Sequence, residues 1–238
     1  MTTSSARALD KLTAVDTHYN DLHYSVRRYH VDSFLFRHAG VIHGRVLDLG
    51  GLRTSKRGQF DLNAFAPDAL YINLAVSRKP HVAGDAERLP LLDASVDTVI
   101  CGEVLEHLPR PHTALRECHR VLRTGGLLLA TAPFLFPVHG DPDDYGRYTA
   151  SFWKMALADA GFDPFEVEPQ GGFYSVGADM LKTWLRETRN RDWRYWLARK
   201  LLPRTVKWAL QKDLWLAAQP DSNLSRFTTG FGIVARRA

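Results

Sequence analysis

Short apolar runs rich in β-branched residues alternate with longer stretches whose apolar positions recur at helical spacing, a pattern that predicts an α/β chain. Arg45–Leu49 and Leu70–Leu74 read as the first two strands, Asp97–Cys101 as a third after the turn Asp93-Ala94-Ser95, and Gly126–Ala132 as a fourth. Between the last two, 112–122 reads as a helix that starts after Pro111 and stops at Thr124-Gly125-Gly126, where glycine supplies a left-handed cap. Pro133 opens a long loop through Gly146; Thr149 or Ser151 then caps a helix ending at Gly161, and Phe165–Val167 begins another strand. Residues 1–40 read as an amphipathic helical cap, with Leu9, Leu12, Val15, Tyr19, Leu22, Tyr24, Tyr29, Phe34 and Phe36 at roughly helical intervals. A helical insert is expected over 178–218, divided into two short helices by Pro203. Phe227–Ala235 alternates well enough to be a last edge strand within 227–236. No internal repeat or low-complexity tract interrupts the order.

At 238 residues the chain is long enough for one domain with a core on both faces of a sheet. Cys101 and Cys118 fall inside a strand run and a helical pattern, which argues against a disulfide framework or a zinc site and for a reducing, cytoplasmic compartment. The first residues lack a secretory apolar stretch, and no run approaches the roughly 20 apolar residues of a spanning helix. The net charge of +5 is concentrated. Lys182, Arg186, Arg189, Arg191, Arg194, Arg199, Lys200, Arg204, Lys207 and Lys212 face only Glu187, Asp192 and Asp213 over the same stretch.

Candidate chemistry gathers where strands end. Arg45-Val46-Leu47-Asp48-Leu49-Gly50-Gly51, then Gly84-Asp85-Ala86-Glu87-Arg88-Leu89-Pro90, then Val99-Ile100-Cys101-Gly102-Glu103-Val104-Leu105-Glu106-His107-Leu108 are strand-to-loop junctions turning from apolar to small or acidic residues. A parallel sheet presents a nucleotide site in this way, at the carboxyl ends of its strands. Over about residues 41–165 these motifs resemble the class I S-adenosylmethionine-dependent methyltransferases, in particular the group whose third motif reads like Glu-Val-Leu-Glu-His. The resemblance implies a Rossmann-like three-layer sandwich whose mixed seven-stranded sheet has its last strand antiparallel. It also implies one methyltransferase domain over 1–238, with a cofactor-binding core over 41–168.

The resemblance further assigns S-adenosylmethionine to Asp48, Gly50, Gly51, Asn73, Asp85, Ala86, Cys101, Gly102 and Glu103. Gly50 and Gly51 would leave backbone bare at a helix N-terminus, although Leu52 and Thr54 stand where further glycines are usual. Asp85 would accept from the adenine amine, with Leu89 on the ring face. A carboxylate normally ends the second strand to hold the ribose diol, but Ala75 occupies that place; Asn73 or Ser77 is left to make part of the contact. Glu103, Glu106 and His107 stand at i, i+3 and i+4, so on a helix they share one face and suit a divalent ion such as Mg²⁺ or Mn²⁺, with His139 as a fourth ligand. That arrangement is similar to the metal motif of ubiquinone-pathway O-methyltransferases and of the plant small-RNA 2′-O-methyltransferase; in other members Glu103 lines the cofactor pocket and no metal is held.

The loop from Pro137 to Thr149 looks like the Asp-Tyr-x-Arg-x-Thr signature of a subgroup associated with glycan, envelope or natural-product pathways. It puts forward His139 as general base, with Asp144, Tyr145 and Arg147 positioning a small-molecule or glycan acceptor. Its bland alternative is an Asp144–Arg147 ion pair that stiffens the loop. Tryptophans interleaved with cations over 182–216 suit an anionic membrane surface, against a reading in which they cover the sheet or a homodimer contact. A nucleic-acid groove is disfavoured, because no base-reading module appears. The expected function is methyl transfer to oxygen, less readily nitrogen. Its rivals are a metal-assisted O-methyltransferase of a quinone precursor or RNA ribose, and a binding protein that has kept the fold without catalysis.

Overall fold

The computed structural model of the protein describes residues 18–219 and 221–238. Strands β1 (Val46–Leu49), β2 (Leu70–Asn73), β3 (Val82–Ala83), β4 (Val96–Gly102), β5 (Leu122–Pro133), β6 (Phe162–Gln170) and β7 (Gly230–Arg237) form one sheet in the order β3-β2-β1-β4-β5-β7-β6. The β1–β2, β1–β4, β2–β3 and β4–β5 pairs are parallel, whereas β7 runs antiparallel to both β5 and β6. The helices among the described residues are α1 (Val26–His38), α2 (Pro111–Val121), α3 (Ala150–Asp159), α4 (Phe173–Glu187) and α5 (Trp193–Ala217).

Alternation along the central strands explains the layering. Val99, Cys101, Leu128 and Ala130 bury one face under α2 and α3, together with Ala114, Leu115, Cys118, Trp153 and Leu157. Ile100, Leu127 and Leu129 bury the other under Val31, Phe34 and Leu35 of α1. Both sides of the sheet are therefore covered, and the strands read as nearly continuous apolar runs. A third cluster joins α4 and α5 to the start of α1 through Ala178, Leu185, Tyr195, Leu202 and Val206.

Long-range caps hold those helices together. Asp179 of α4 accepts from the backbone N–H groups of Val26 and Arg27, at 2.8 and 3.0 Å, and so satisfies the first turn of α1. Asp213 of α5 does the same for α4, accepting from Gly172, Tyr174 and Ser175. The buried ammonium of Lys182 donates to the carbonyls of Asp21 and Tyr24.

Several sequence expectations change. The final strand is not an edge: it inserts between β5 and β6, and β6 is the edge. Pro203 lies within a continuous α5; the break falls at 188–192, where Asp192 caps the new helix by accepting from Arg194 and Tyr195. The insert also begins earlier than expected, since α4 opens at Phe173. No α-helix follows the glycine turn after β1; a loop with a single 3-10 turn at Leu62–Ala64 leads to β2. The face where that helix would pack is covered by α1 with Phe60 and Leu62, and the loop is tied to α1 by Asp32, which accepts from Gln59 and Phe60. Of the expected N-terminal cap, α1 is present, while Leu9, Leu12 and Val15 lie outside the described residues.

Candidate active site

The ends of β1, β2 and β4 open on one furrow, where an open parallel sheet places its ligands. Gly50 leaves β1 at φ +80°, and its N–H donates to Ile72 of β2 at 2.8 Å. A side chain there would collide with Val104, and one on Gly51 would stand 2.0 Å from the Asp48 carboxylate. Asn73 braces the turn: its amide donates to the carbonyls of Gly50 and Gly51, at 2.9 and 3.2 Å, while its oxygen accepts from Ala75. Burial pushes Asp48 up to about 7, with Arg57 pulling the other way.

The furrow has two hollows that share Gly50 and Arg57. One is lined by Asp48, Gly51, Tyr71 and Gly102; the other by Asn73, Leu74, Asp85, Ala86, Glu103, Val104, His107 and Asp141. Each measures about 90 Å³, so a nucleoside-sized ligand has to draw on both. Between them Arg57 reaches Asp141 at 3.4 Å, and Arg78, just beyond β2, is hydrogen-bonded to the same carboxylate. Asp141, Arg57 and Arg78 were absent from the sequence expectations, because nothing local joins a residue of the loop after β5 to partners 63 and 84 positions earlier. Asp85 accepts from the N–H of Glu87 at 2.8 Å, which shapes its turn. Leu89 packs into the core, and Cys101 is buried beneath the sheet, lining neither hollow.

The Glu-x-x-Glu-His segment is not an α-helix. Glu103 sits at φ +55°, a left-handed conformation unusual for a side-chain-bearing residue, and Leu105–His107 is one 3-10 turn. Glu103 consequently diverges from Glu106 and His107. Its carboxylate takes a fork from Arg27 of α1, with Nη2–Oε1 at 2.7 Å and Nε–Oε2 at 3.2 Å, both groups buried. Burial opposes its ionisation, but the guanidinium outweighs burial and holds Glu103 below the usual range. Arg27 also donates to Gln170 of β6 at 2.6 Å, and the sequence carried no signal for this arginine either.

Glu106 gathers instead with two imidazoles. Among the described residues its buried oxygens have no hydrogen-bond partner, and burial together with the Glu103 charge raises it above the ordinary carboxylate range. His107 Nε2 lies 3.6 Å from Glu106 Oε1, and one donor atom from each of Glu106, His107 and His139 falls within 4.8 Å of the others. The tautomers follow from the partners. His107 Nδ1 is 2.6 Å from the Asp143 carbonyl and His139 Nδ1 is 3.1 Å from the Pro137 carbonyl, so each carries its proton there and presents Nε2 as an acceptor. Asp144 accepts from the backbone N–H of His139 at 2.9 Å and from the Arg147 guanidinium at 2.6 Å, so this ion pair stiffens the loop. Tyr145 is half-exposed and donates to Asp143 at 3.3 Å.

Beside the loop, Phe134, Leu135, Phe136, Pro137, Val176, Met180 and Trp184 line an apolar cavity of about 540 Å³.

The strand order, the antiparallel β7 and the furrow at the β1, β2 and β4 ends define the class I methyltransferase fold. A SAM-dependent methyltransferase from Archaeoglobus fulgidus superimposes with a TM-score of 0.55 at 19% identity, over 87% of this chain and 93% of that one. The 4+2 cyclase SpnF gives 0.56 at 20% identity, over 89% and 82%. Residues 65–130 match the family model described as a methyltransferase domain. Among curated proteins, the ubiquinone biosynthesis O-methyltransferase of Pseudomonas aeruginosa is 32% identical over 123 residues, 45% of this chain and 50% of that protein. The arsenite methyltransferase of Halobacterium salinarum is 34% identical over 97 residues, 37% of this chain and 25% of that protein. The matched segments thus span half or less of these relatives.

Proposed function

We propose that the protein is an S-adenosylmethionine-dependent methyltransferase that methylates a hydroxyl oxygen of a small acceptor with an apolar body. The reading is carried by one juxtaposition: the furrow between Gly50-Gly51 and Asp85-Ala86 shares His107 with the cluster of Glu106, His107 and His139. Methyl transfer is an in-line displacement at an already activated sulfonium carbon, so the protein's work is alignment, exclusion of water and removal of the acceptor proton. In this reading Asp48 receives the cofactor's cationic amino acid end, and Asp85 the adenine amine. With alanine at position 75, the ribose diol falls to Asp141, brought from the loop after β5 into the hollow that holds Asn73 and Leu74. His139 Nε2 takes the acceptor proton while Pro137 and Asp144 orient the ring. The apolar cavity suits the acceptor's body better than it suits a glycan.

Calorimetry with S-adenosylmethionine and S-adenosylhomocysteine tests this reading. Binding is expected, and its absence at millimolar concentration sinks the proposal. Asp141→Asn is expected to weaken S-adenosylhomocysteine about tenfold, the cost of a hydrogen bond to a charged group. Tighter binding would instead make Asp141 an obstacle in the furrow.

A metal-assisted variant rests on the partnerless Glu106 carboxylate facing two imidazole acceptors. With Glu103 committed to Arg27, one carboxylate and two nitrogens remain, a set that suits Mn²⁺ or Zn²⁺ rather than oxygen-seeking Mg²⁺. Such an ion would act as a Lewis acid on the acceptor oxygen. Elemental analysis of the purified protein, compared with His107→Ala, distinguishes the two forms: a stoichiometric metal lost in the variant favours the ion, and its absence leaves His139 as the base.

A further inference from the structure

Helix α5 is apolar on two opposite faces. Tyr195, Leu202, Val206, Ala209 and Leu210 face the core and pack with α4 and α1. At 100° per residue, Leu197, Leu201, Trp208 and Trp215 fall on the reverse side, and they are 49%, 41%, 49% and 55% exposed. Trp193 and Trp196, at the start of the helix, are exposed as well. One cation, Arg204, sits on this outer ridge and the others flank it. Arg194 and Lys212 stack on the rings of Trp193 and Trp215, and Lys200, Arg204 and Lys207 are exposed along it. Asp213, the one acidic residue inside the helix, is spent on capping α4. Among the described residues, none of Arg194, Lys200, Arg204, Lys207 and Lys212 pairs with a carboxylate.

We infer that this ridge is a docking surface for an anionic lipid bilayer, on which α5 lies parallel to the membrane plane. Three features select that occupant. Indole rings and leucines on the crest, with cations beside them, match the depth profile of a membrane interface, where the apolar parts enter the acyl boundary and the charges meet headgroups. A second copy of this chain is the poorer partner, because a two-fold contact through the ridge sets Arg204 and its neighbours against their own kind. Nucleic acid wants rows of cations on the crest with hydrogen-bonding groups between them, and here Leu197, Trp208 and Trp215 hold the crest around one cation, Arg204. No helix among the described residues is long and apolar enough to cross a membrane, so the contact is peripheral. The inference does not depend on the methyltransferase reading, since the ridge is formed by residues outside the furrow.

The test uses the full chain and vesicles of phosphatidylcholine with or without phosphatidylglycerol. Co-sedimentation is expected with the anionic vesicles and not with the neutral ones, weakening as salt rises. Tryptophan emission is expected to shift to the blue and to be quenched by brominated acyl chains. Trp193→Ala with Trp215→Ala, and separately Arg204→Glu with Lys207→Glu, are each expected to lower vesicle binding about tenfold or more at unchanged melting temperature. These four side chains are exposed, Trp208 is spared because it packs edge-to-face on Tyr174, and the charge reversals leave the indoles in place. Failure to sediment with anionic vesicles overturns the proposal. So does a dimer by light scattering that the tryptophan variants dissolve, or binding to duplex RNA that outcompetes the vesicles.

Discussion

Asp48 shows how burial can make one carboxyl report on a ligand. Desolvation raises it to about 7, above its usual value of 3.8, so the folded state holds its proton more tightly than the unfolded one. The sign follows: stability from this proton is complete below about pH 4 and is lost as pH rises towards 7, by up to about 4 kcal/mol. A cationic ligand beside Asp48 favours the ionised form, so its binding releases a proton. Affinity for S-adenosylmethionine is therefore expected to rise between about pH 5.5 and 7.5, and Asp48→Asn to flatten the rise. Calorimetry in buffers of different ionisation enthalpy reads the released proton directly; a flat profile in the wild type would remove Asp48 from the ligand's surroundings. Asp48 itself was visible in the sequence, as the acidic residue before two glycines. Its perturbation was not, because the chain does not record how completely the turn closes over it.

At the scale of elements, the long-range ties do more than the local ones. Arg27 bridges α1 to the end of β4 through Glu103 and to β6 through Gln170. Removing it strands a buried carboxylate, which costs about 3–5 kcal/mol where such pairs are broken. Arg27→Met is accordingly expected to lower the melting temperature by roughly 10 °C, and Arg27→Met with Glu103→Gln to recover most of the loss. If the double variant melts as low as the single one, the arginine acts through packing rather than through charge. This pair also explains why the Glu-x-x-Glu-His spacing misleads. Three residues at i, i+3 and i+4 share a face only on a helix, and here the strand ends in a left-handed residue that sends Glu103 to one side and Glu106 to the other. His139 joins Glu106 and His107 only because the loop after β5 folds back, with the Tyr145 backbone N–H donating to the Glu106 carbonyl at 2.8 Å.

For the whole molecule, the decisive strand is the last one. Because β7 lies between β5 and β6, a chain ending at Phe227 loses both its ladders and exposes the unpaired edge of β5. Such a chain is expected to be aggregated or unfolded by circular dichroism and size exclusion; a folded monomer would mean that the core closes without β7. Local signals determined what could be read from the chain alone. The alternating strands and helices, the glycine turn at Gly50-Gly51, the acidic turn at Asp85, the buried cysteines and the basic tryptophan-rich stretch all follow from residue type and short-range periodicity, which act within a few positions. Tertiary structure alone decided that β7 is internal, that α1 covers the face left open by the missing helix, that Asp141 meets Arg57 and Arg78 across the furrow, and that α5 turns a second apolar face outward. Each of these depends on which distant segments come to share a surface, and burial, ion pairing and exposure belong to that surface rather than to the residues taken singly.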